Sequence, residues 1–139
     1  MNNPSYPIVL RVAYDGEGYH GFQRQPHHHT IENKLLDAFE AFKMLQRENL
    51  ADINYSTGGR TDTSVSAIEQ TISFLSLREP VPAAINIYLP SNIWIWASAK
   101  IPKEFHARYD ALQRTYIYFW HDQGYDIDLM NISAEKLEG

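Results

Sequence analysis

Apolar residues along the first 120 residues alternate in some segments and recur at helical spacing in others. Residues 8–14 predict a strand that ends at Asp15-Gly16. A long loop covers residues 18–29. Thr30 is a favourable N-cap, and apolar side chains at helical spacing behind it predict a helix over residues 31–47.

The same patterns predict four further strands and a second helix. The strands cover residues 51–56, 67–77, 93–99 and 114–120, and the short helix begins at Pro82 and ends near Tyr88. The order is β-α-β-β-α-β with an extra strand. We therefore predict an α+β, ferredoxin-like half domain, an antiparallel sheet with helices on one face. This arrangement is common among RNA-binding domains.

Composition limits the possible classes of protein. The chain has no cysteine, which excludes a disulfide framework and any chemistry that depends on a thiolate. No apolar run approaches the roughly 20 residues of a membrane-spanning helix. Residues 1–7 lack the basic start and apolar stretch of a signal peptide. We therefore expect a cytoplasmic protein with no membrane partner.

The net charge of -5 is unevenly distributed. Residues 121–139 contain five acids and one base, and residues 1–120 contain twelve acids and eleven bases. A nearly neutral body attracts phosphate only weakly as a whole. Four arginines nevertheless fall in the motif blocks described below, which favours a local arginine cluster: Arg24, Arg60, Arg108 and Arg114.

The segment Gly59-Arg60-Thr61-Asp62 is the clearest candidate for chemistry. The glycines allow a ligand to approach the backbone closely. Arg60 can keep the Asp62 carboxylate ionised near neutral pH, and an ionised carboxylate held in place can act as a nucleophile or a base. On spacing alone, the same residues also fit an exposed loop with a surface ion pair.

Three blocks in fixed order resemble the TruA family of tRNA pseudouridine synthases. They cover residues 14–26, residues 58–67 with the G-R-T-D motif, and residues 105–118 with an R-x-Y-x-Y pattern. The resemblance extends from about Ile8 to Phe119. It implies an isomerase that converts uridine to pseudouridine in the tRNA anticodon stem-loop without cofactor or metal. It also implies a homodimer with tRNA as its partner.

The resemblance assigns roles in the reaction to three residues. Asp62 would be the catalytic carboxylate, Arg60 would pair with it, and Tyr116 would stack on the target base and accept its C5 proton. Other roles stay open for each: a turn or N-cap aspartate, an arginine that reaches a phosphate, and a core tyrosine.

RNA contacts are expected from five polar residues of the first and third blocks. Arg24 lies between two glutamines in a loop, a cluster that suits phosphate and base-edge contacts, although a solvated loop is the alternative. The five residues are Gln23, Arg24, Gln25, Arg108 and Arg114.

The second block departs from the family pattern at three positions. Thr63, Ser64 and Ser66 stand where the family usually has Ala, Gly and His. A serine in place of glycine restricts the backbone at residue 64. The loss of the histidine removes a contact with RNA or with the loop.

The resemblance covers the N-terminal half of the family enzymes only. We expect residues 1–120 to form the N-terminal catalytic half domain. Residues 121–139 would be an acidic tail that begins the second half, with a helix starting near residue 132. The chain would then be a fragment that is inactive alone, or a natural short form. A non-catalytic RNA-binding or assembly module of the same fold is the alternative.

Three further features of the sequence bear on the function. Adjacent histidines at 27–29 rarely converge on one ion, so we predict no metal site there. A carboxylate hydrolase would need a second carboxylate at motif spacing, and none is found.

Aromatic residues two apart in predicted strands should form an apolar face that drives self-association: Trp94, Trp96, Tyr118 and Trp120.

Overall fold

A four-stranded antiparallel sheet organises the computed structural model, which describes residues 6–138. β1 (Tyr6–Tyr14) is central and pairs with β3 (Ala67–Ser76) and β4 (Ile93–Lys100), while the short β2 (Ser56–Thr57) pairs with β3. The strand order is β2-β3-β1-β4.

Two helices complete the predicted chain order. α1 (Ile31–Ala41) follows β1, and α2 (Pro82–Ile85) follows β3 and continues as a 3₁₀-helix, Asn86–Tyr88. The order is therefore β-α-β-β-α-β, which confirms the predicted α+β fold class. Residues 1–5 and 139, at the outer ends of the two predicted regions, lie outside the described residues.

One face of the sheet packs against α1, and the other is partly open. Alternate β1 residues on the packed face, such as Leu10, are fully buried with Leu35 and Phe39 of α1. Burial of such side chains contributes roughly 1.5–3 kcal/mol each to folding. On the open face Arg11 forms an ion pair with Glu69 at 2.7 Å. That face also carries Trp94 and Trp96, which are 45% and 50% exposed.

The first helix is shorter than predicted. It ends at Ala41, because Lys43 adopts a left-handed φ of 58° and reverses the chain. The Lys43 N–H donates to Glu40 O and the Met44 N–H donates to Phe39 O, both at 2.8–2.9 Å. This is the paired bonding of a Schellman cap. Met44 and Leu45 lie past the cap and are buried although they are outside the helix. Because their apolar side chains continue the helical spacing in the sequence, the predicted helix was too long.

Two predicted strands also differ in the structure. Residues 51–54 form turns, with Asn54 at a φ of 52°, so β2 contains only Ser56 and Thr57. Residues 114–120 form no strand: they are exposed and lack regular secondary structure. A strand needs a neighbour for its backbone hydrogen bonds, and no described segment pairs with this one.

The tail ends in a helix that begins earlier than predicted. α3 (Ile127–Glu135) is capped by the Asp126 side chain, which accepts a hydrogen bond from the Leu129 N–H at 3.0 Å. None of its residues is buried. Among the described residues, no helix is long and apolar enough to cross a membrane.

The outer edge of β4 is bonded to a side chain. The Asn86 amide donates to Ile95 O at 2.9 Å, and its oxygen accepts from the Ile95 N–H at 2.8 Å. One side chain therefore meets both backbone groups of Ile95 and ties the end of α2 to the sheet.

Candidate functional site

The first and second sequence blocks are bonded to each other after β1. The hydroxyls of Tyr14 and Thr61 share a hydrogen bond of 2.8 Å, and the Phe22 N–H donates to Thr61 O at 3.0 Å. The Ser64 N–H donates to Tyr19 O at 3.3 Å. The loop that carries Arg60 and Asp62 is thus held against the loop after β1.

Gly16 and Ser66 form a second junction between these loops. A Cβ on Gly16 would lie 2.2 Å from Val65 O, so only glycine fits there. The Ser66 hydroxyl accepts from the Gly16 N–H at 3.0 Å and donates to the Asp15 carboxylate at 3.2 Å. The serine that replaces the family histidine therefore contributes to the loop contact.

The buried side chain of Gln70 in the sheet bonds the backbone of the glycine turn. Gln70 of β3 accepts from the Gly59 N–H at 3.1 Å and donates to Gly59 O at 2.9 Å. Burial raises the pKa of Tyr14, while hydrogen bonds from Thr61 and Gln70 act in the opposite direction. The phenol therefore stays protonated and available to bond Thr61.

The third block is attached to β2 and to the glycine turn. The Ala107 N–H donates to the Ser56 hydroxyl at 2.9 Å, and Ser56 shares a 2.7 Å hydrogen bond with Ser73. The Arg114 guanidinium donates to Gly58 O at 2.9 Å and to Arg108 O at 2.7 Å. Residues 105–116 are thereby brought beside the glycine turn.

A cavity of about 680 Å³ lies where the three blocks meet. This volume is typical of pockets for small ligands. Its walls come from the loop after β1, the start of α1, the glycine turn and the third block: Phe22, Gln23, Arg24, Glu32, Tyr55, Ser56, Thr57, Gly58, Gly59, Arg60, His106, Arg108, Tyr109, Arg114 and Tyr116.

Six of the eight predicted site residues line this cavity: Gln23, Arg24, Arg60, Arg108, Arg114 and Tyr116. Tyr116 is 70% exposed, so it is not the core tyrosine of the alternative interpretation. Gln25 lies outside the lining and donates to His20 O at 3.4 Å.

Asp62 lies outside the cavity lining and is exposed. Within residues 6–138, its carboxylate takes part in no hydrogen bond or ion pair, and the predicted pairing with Arg60 is not formed. The roles of Asp62 and Arg60 stay predictions. The Asp62 main-chain oxygen accepts from the Val65 N–H at 3.1 Å, which turns the chain after the motif.

Sequence reasoning missed Glu32 and Tyr55 in the cavity wall. Glu32 is 5% exposed in the first turn of α1, where a buried carboxylate is unusual. Its position on the apolar face of the predicted helix was the available signal. Tyr55 follows the buried Ile53 by two residues, as a partly buried tyrosine directly before β2.

The loop histidines contact other rings. Tyr19 stacks on His29 at 4.5 Å between ring centroids, and His20 meets His28 at 4.9 Å. In the described part of the chain, no group of three or more His, Asp or Glu side chains is arranged to hold a metal ion.

The fold and the cavity define an α+β domain with an arginine-lined cleft. The chain is 48% identical over 112 residues to "tRNA pseudouridine synthase A" of Haloarcula marismortui, covering 80% of this chain and 40% of that protein. A relative of the same name from Methanosarcina mazei is 38% identical over 134 residues, which is 95% of this chain and 49% of that protein. No protein-family profile matches the chain.

Over 80–95% of its own length, the chain is similar to these tRNA pseudouridine synthases A, as a partial TruA-like chain would be. It spans less than half the length of these curated relatives.

Proposed function

We propose that this chain supplies the catalytic half of a tRNA pseudouridine synthase that acts on the anticodon stem-loop. The arginine-lined cavity at the junction of the three blocks carries the proposal. Arginine forms bidentate hydrogen bonds with phosphate, and the cavity volume suits one displaced nucleotide. The names of the curated relatives support tRNA as the substrate.

The proposed reaction rearranges one nucleotide without adding or removing atoms. The bond between uracil N1 and the sugar C1′ breaks, the base rotates, and a bond between C5 and C1′ forms. The C5 proton leaves, and N1 gains a proton. Asp62 would serve as the carboxylate beside the sugar and base, and Tyr116 would take the C5 proton. Since Tyr116 lines the cavity and Asp62 does not, the reactive arrangement requires Asp62 to turn inward.

RNA would enter along the exposed arginines. Arg24, Arg60 and Arg108 line the cavity and are exposed. Arg114 bonds two backbone carbonyls, so its contribution to RNA binding would be to hold the third block in position. The target base must leave its stack to reach the cavity, and Tyr116 offers an aromatic surface for it.

Release of tritium from C5-labelled uridine in tRNA tests the reaction. The test protein is this chain joined to the unmatched remainder of the Methanosarcina mazei relative. Asp62→Asn keeps the side-chain size and removes the charge. We expect it to lower turnover by at least about a thousandfold while tRNA binding persists. Normal turnover by Asp62→Asn would contradict the assignment.

Asp52→Asn is the matched control, because Asp52 is exposed outside the cavity lining. It should retain full activity. The 139-residue chain alone should fold, bind tRNA weakly and release no tritium. Its binding should fall only shallowly with salt, since few phosphates are neutralised. Robust turnover by the chain alone would show that the remaining length of the relatives is dispensable.

A non-catalytic RNA-binding module is the second candidate. The exposed position of the Asp62 carboxylate, outside the cavity lining, favours it. In that case the joined protein would bind tRNA without tritium release, and Asp62→Asn would change neither property. The tritium assay therefore separates the two functions.

A further inference from the structure

Glu32 is a buried carboxylate in the wall of the cavity. Its side chain is 6% exposed, and it lies in the first turn of the eleven-residue helix α1. The positive end of the helix dipole favours an anion at this position. A buried carboxylate nevertheless needs hydrogen-bond donors for its oxygens.

Among the described residues, Arg24 supplies both donors that complete hydrogen bonds to the Glu32 carboxylate. The Arg24 backbone N–H bonds one carboxylate oxygen at 2.7 Å, which fixes the loop. The guanidinium approaches the other oxygen at 3.3 Å, and the Arg24 side chain is 45% exposed. The first contact is short and the second is long, so the guanidinium can leave while the backbone stays bound.

Tyr55 brings a third donor close to the same carboxylate. Its hydroxyl is buried and within reach of the Glu32 side chain, but within residues 6–138 it completes no hydrogen bond of normal geometry. Burial, then the negative charge of Glu32 and then the close contact with its side chain, raises the pKa of Tyr55 well above its ordinary value. The phenol is therefore a neutral O–H donor. Buried polar groups without partners are rare in folded proteins, which points to a partner that this hydroxyl meets in another state.

We propose that Glu32 is a positioning residue for the Arg24 loop and that Tyr55 is its reserve donor. When the Arg24 guanidinium turns from Glu32 to a phosphate oxygen, the Tyr55 hydroxyl takes over the released carboxylate oxygen. The buried Glu32 carboxylate thus accepts two hydrogen bonds both before and after Arg24 turns to the phosphate. The Arg24 guanidinium becomes free to bind RNA without leaving an unpaired carboxylate behind. The phosphate ligand rests on the proposed function, but the exchange of donors does not.

Folding stability without RNA tests the exchange, through single and double variants of Arg24→Ala and Tyr55→Phe in urea. Tyr55→Phe alone should change the folding equilibrium little, because its hydroxyl completes no hydrogen bond of normal geometry in this state. In the Arg24→Ala background Tyr55 becomes the remaining side-chain donor. The same substitution should then lower the folding constant about tenfold or more, as for loss of a hydrogen bond to a charge.

Two controls separate this coupling from a general packing effect. Tyr109→Phe alters an exposed tyrosine of the same cavity and should show no coupling to Arg24→Ala. In a Glu32→Gln background, the coupling between Arg24 and Tyr55 should disappear. Equal effects of Tyr55→Phe in the presence and absence of Arg24 would overturn the proposal.

Filter binding measures the affinity for tRNA and tests the part of the proposal that involves RNA. Tyr55→Phe should weaken tRNA binding about fivefold to tenfold and reduce the salt slope by about one. It should have no effect when Arg24 is already alanine. If the stability coupling is found and the wild-type chain binds no tRNA, the donor exchange stands and the proposed function fails. If Tyr55→Phe leaves tRNA affinity unchanged, Tyr55 does not assist RNA binding and the proposal fails in that part.

Discussion

The hydroxyls of Tyr14 and Thr61 lie 2.8 Å apart although 47 residues separate them in the chain. This hydrogen bond joins the end of the central strand to the middle of the G-R-T-D motif. The position of Arg60 and Asp62 relative to the sheet therefore depends on a contact between two sequence blocks.

Tyr14→Phe and Thr61→Ala should each destabilise the fold by about 1 kcal/mol, because each leaves one hydroxyl partner unbonded. The double variant should cost less than the sum of the two. Urea denaturation of the four proteins measures this coupling. Strict additivity would mean that the hydrogen bond contributes nothing to stability.

Stability should fall in alkaline solution because of two buried phenols. The folded-state pKa is raised for Tyr14 and Tyr55 above the ordinary value of 10.0. Folding therefore favours the protonated forms. That contribution is fully present below about pH 10 and is lost as the pH rises through the higher folded-state values. Urea midpoints measured between about pH 8 and pH 11 should decline less in Tyr14→Phe and Tyr55→Phe. Tyr109→Phe, at an exposed position, should keep the wild-type profile.

Gly16 and Gly59 differ in the space available for a side chain, so the same substitution at Gly59 is the control for Gly16. Gly16→Ala should destabilise the fold by about 1–3 kcal/mol, since its Cβ would overlap the Val65 carbonyl. Gly59→Ala should change stability little, because nothing lies within 4 Å of the added atom. Thermal unfolding of both variants makes the comparison. Equal losses would show that close approach at Gly16 is unimportant.

Ser64 has a φ of 62°, a left-handed conformation that glycine adopts most easily. The family usually has glycine here, and this chain keeps the backbone while carrying the side chain. Ser64→Gly should therefore stabilise the fold by about 0.5–1 kcal/mol, the strain relief less the added freedom of the unfolded chain. Ser64→Ala should give no such gain. A lower melting temperature for Ser64→Gly would contradict this.

The exposed aromatic residues of the sheet face and of the tail should drive self-association. Trp94 and Trp96 are about half exposed on the sheet, and Tyr118 and Trp120 are 85% and 68% exposed in the tail. Sedimentation should show a mass that rises with concentration. Trp94→Ser should reduce the rise, while Ile87→Ser, at another exposed apolar position, should not. A monomer at high concentration, with its tryptophans shielded from a quencher, would count against an apolar contact face.

The elements that were predicted well rest on local signals. Thr30 caps α1 as expected, accepting from the Asn33 N–H at 3.4 Å, and the strand predicted over residues 8–14 lies within β1. The predicted end of α1 was wrong because the chain reverses at Lys43, which adopts a left-handed conformation although it is not a glycine. The strand at residues 114–120 was wrong because strand propensity cannot supply a pairing partner.

The candidate site was predicted through its motifs and missed where it depends on distant contacts. The arginines of the three blocks were expected to cluster, and Arg24, Arg60 and Arg108 line one cavity. Glu32 and Tyr55 carry no motif. Their importance arises only when α1 and the segment before β2 are packed together, which the order of residues does not reveal.

The Asn86 amide has a consequence for how sheets of this protein meet. A free strand edge offers its N–H and C=O groups to any extended chain that approaches. At Ile95 both groups are already bonded to Asn86. An incoming strand would have to break two hydrogen bonds before forming its own. Growth of the sheet from the β4 edge is therefore opposed at Ile95, which favours contact through sheet faces over strand pairing at this edge.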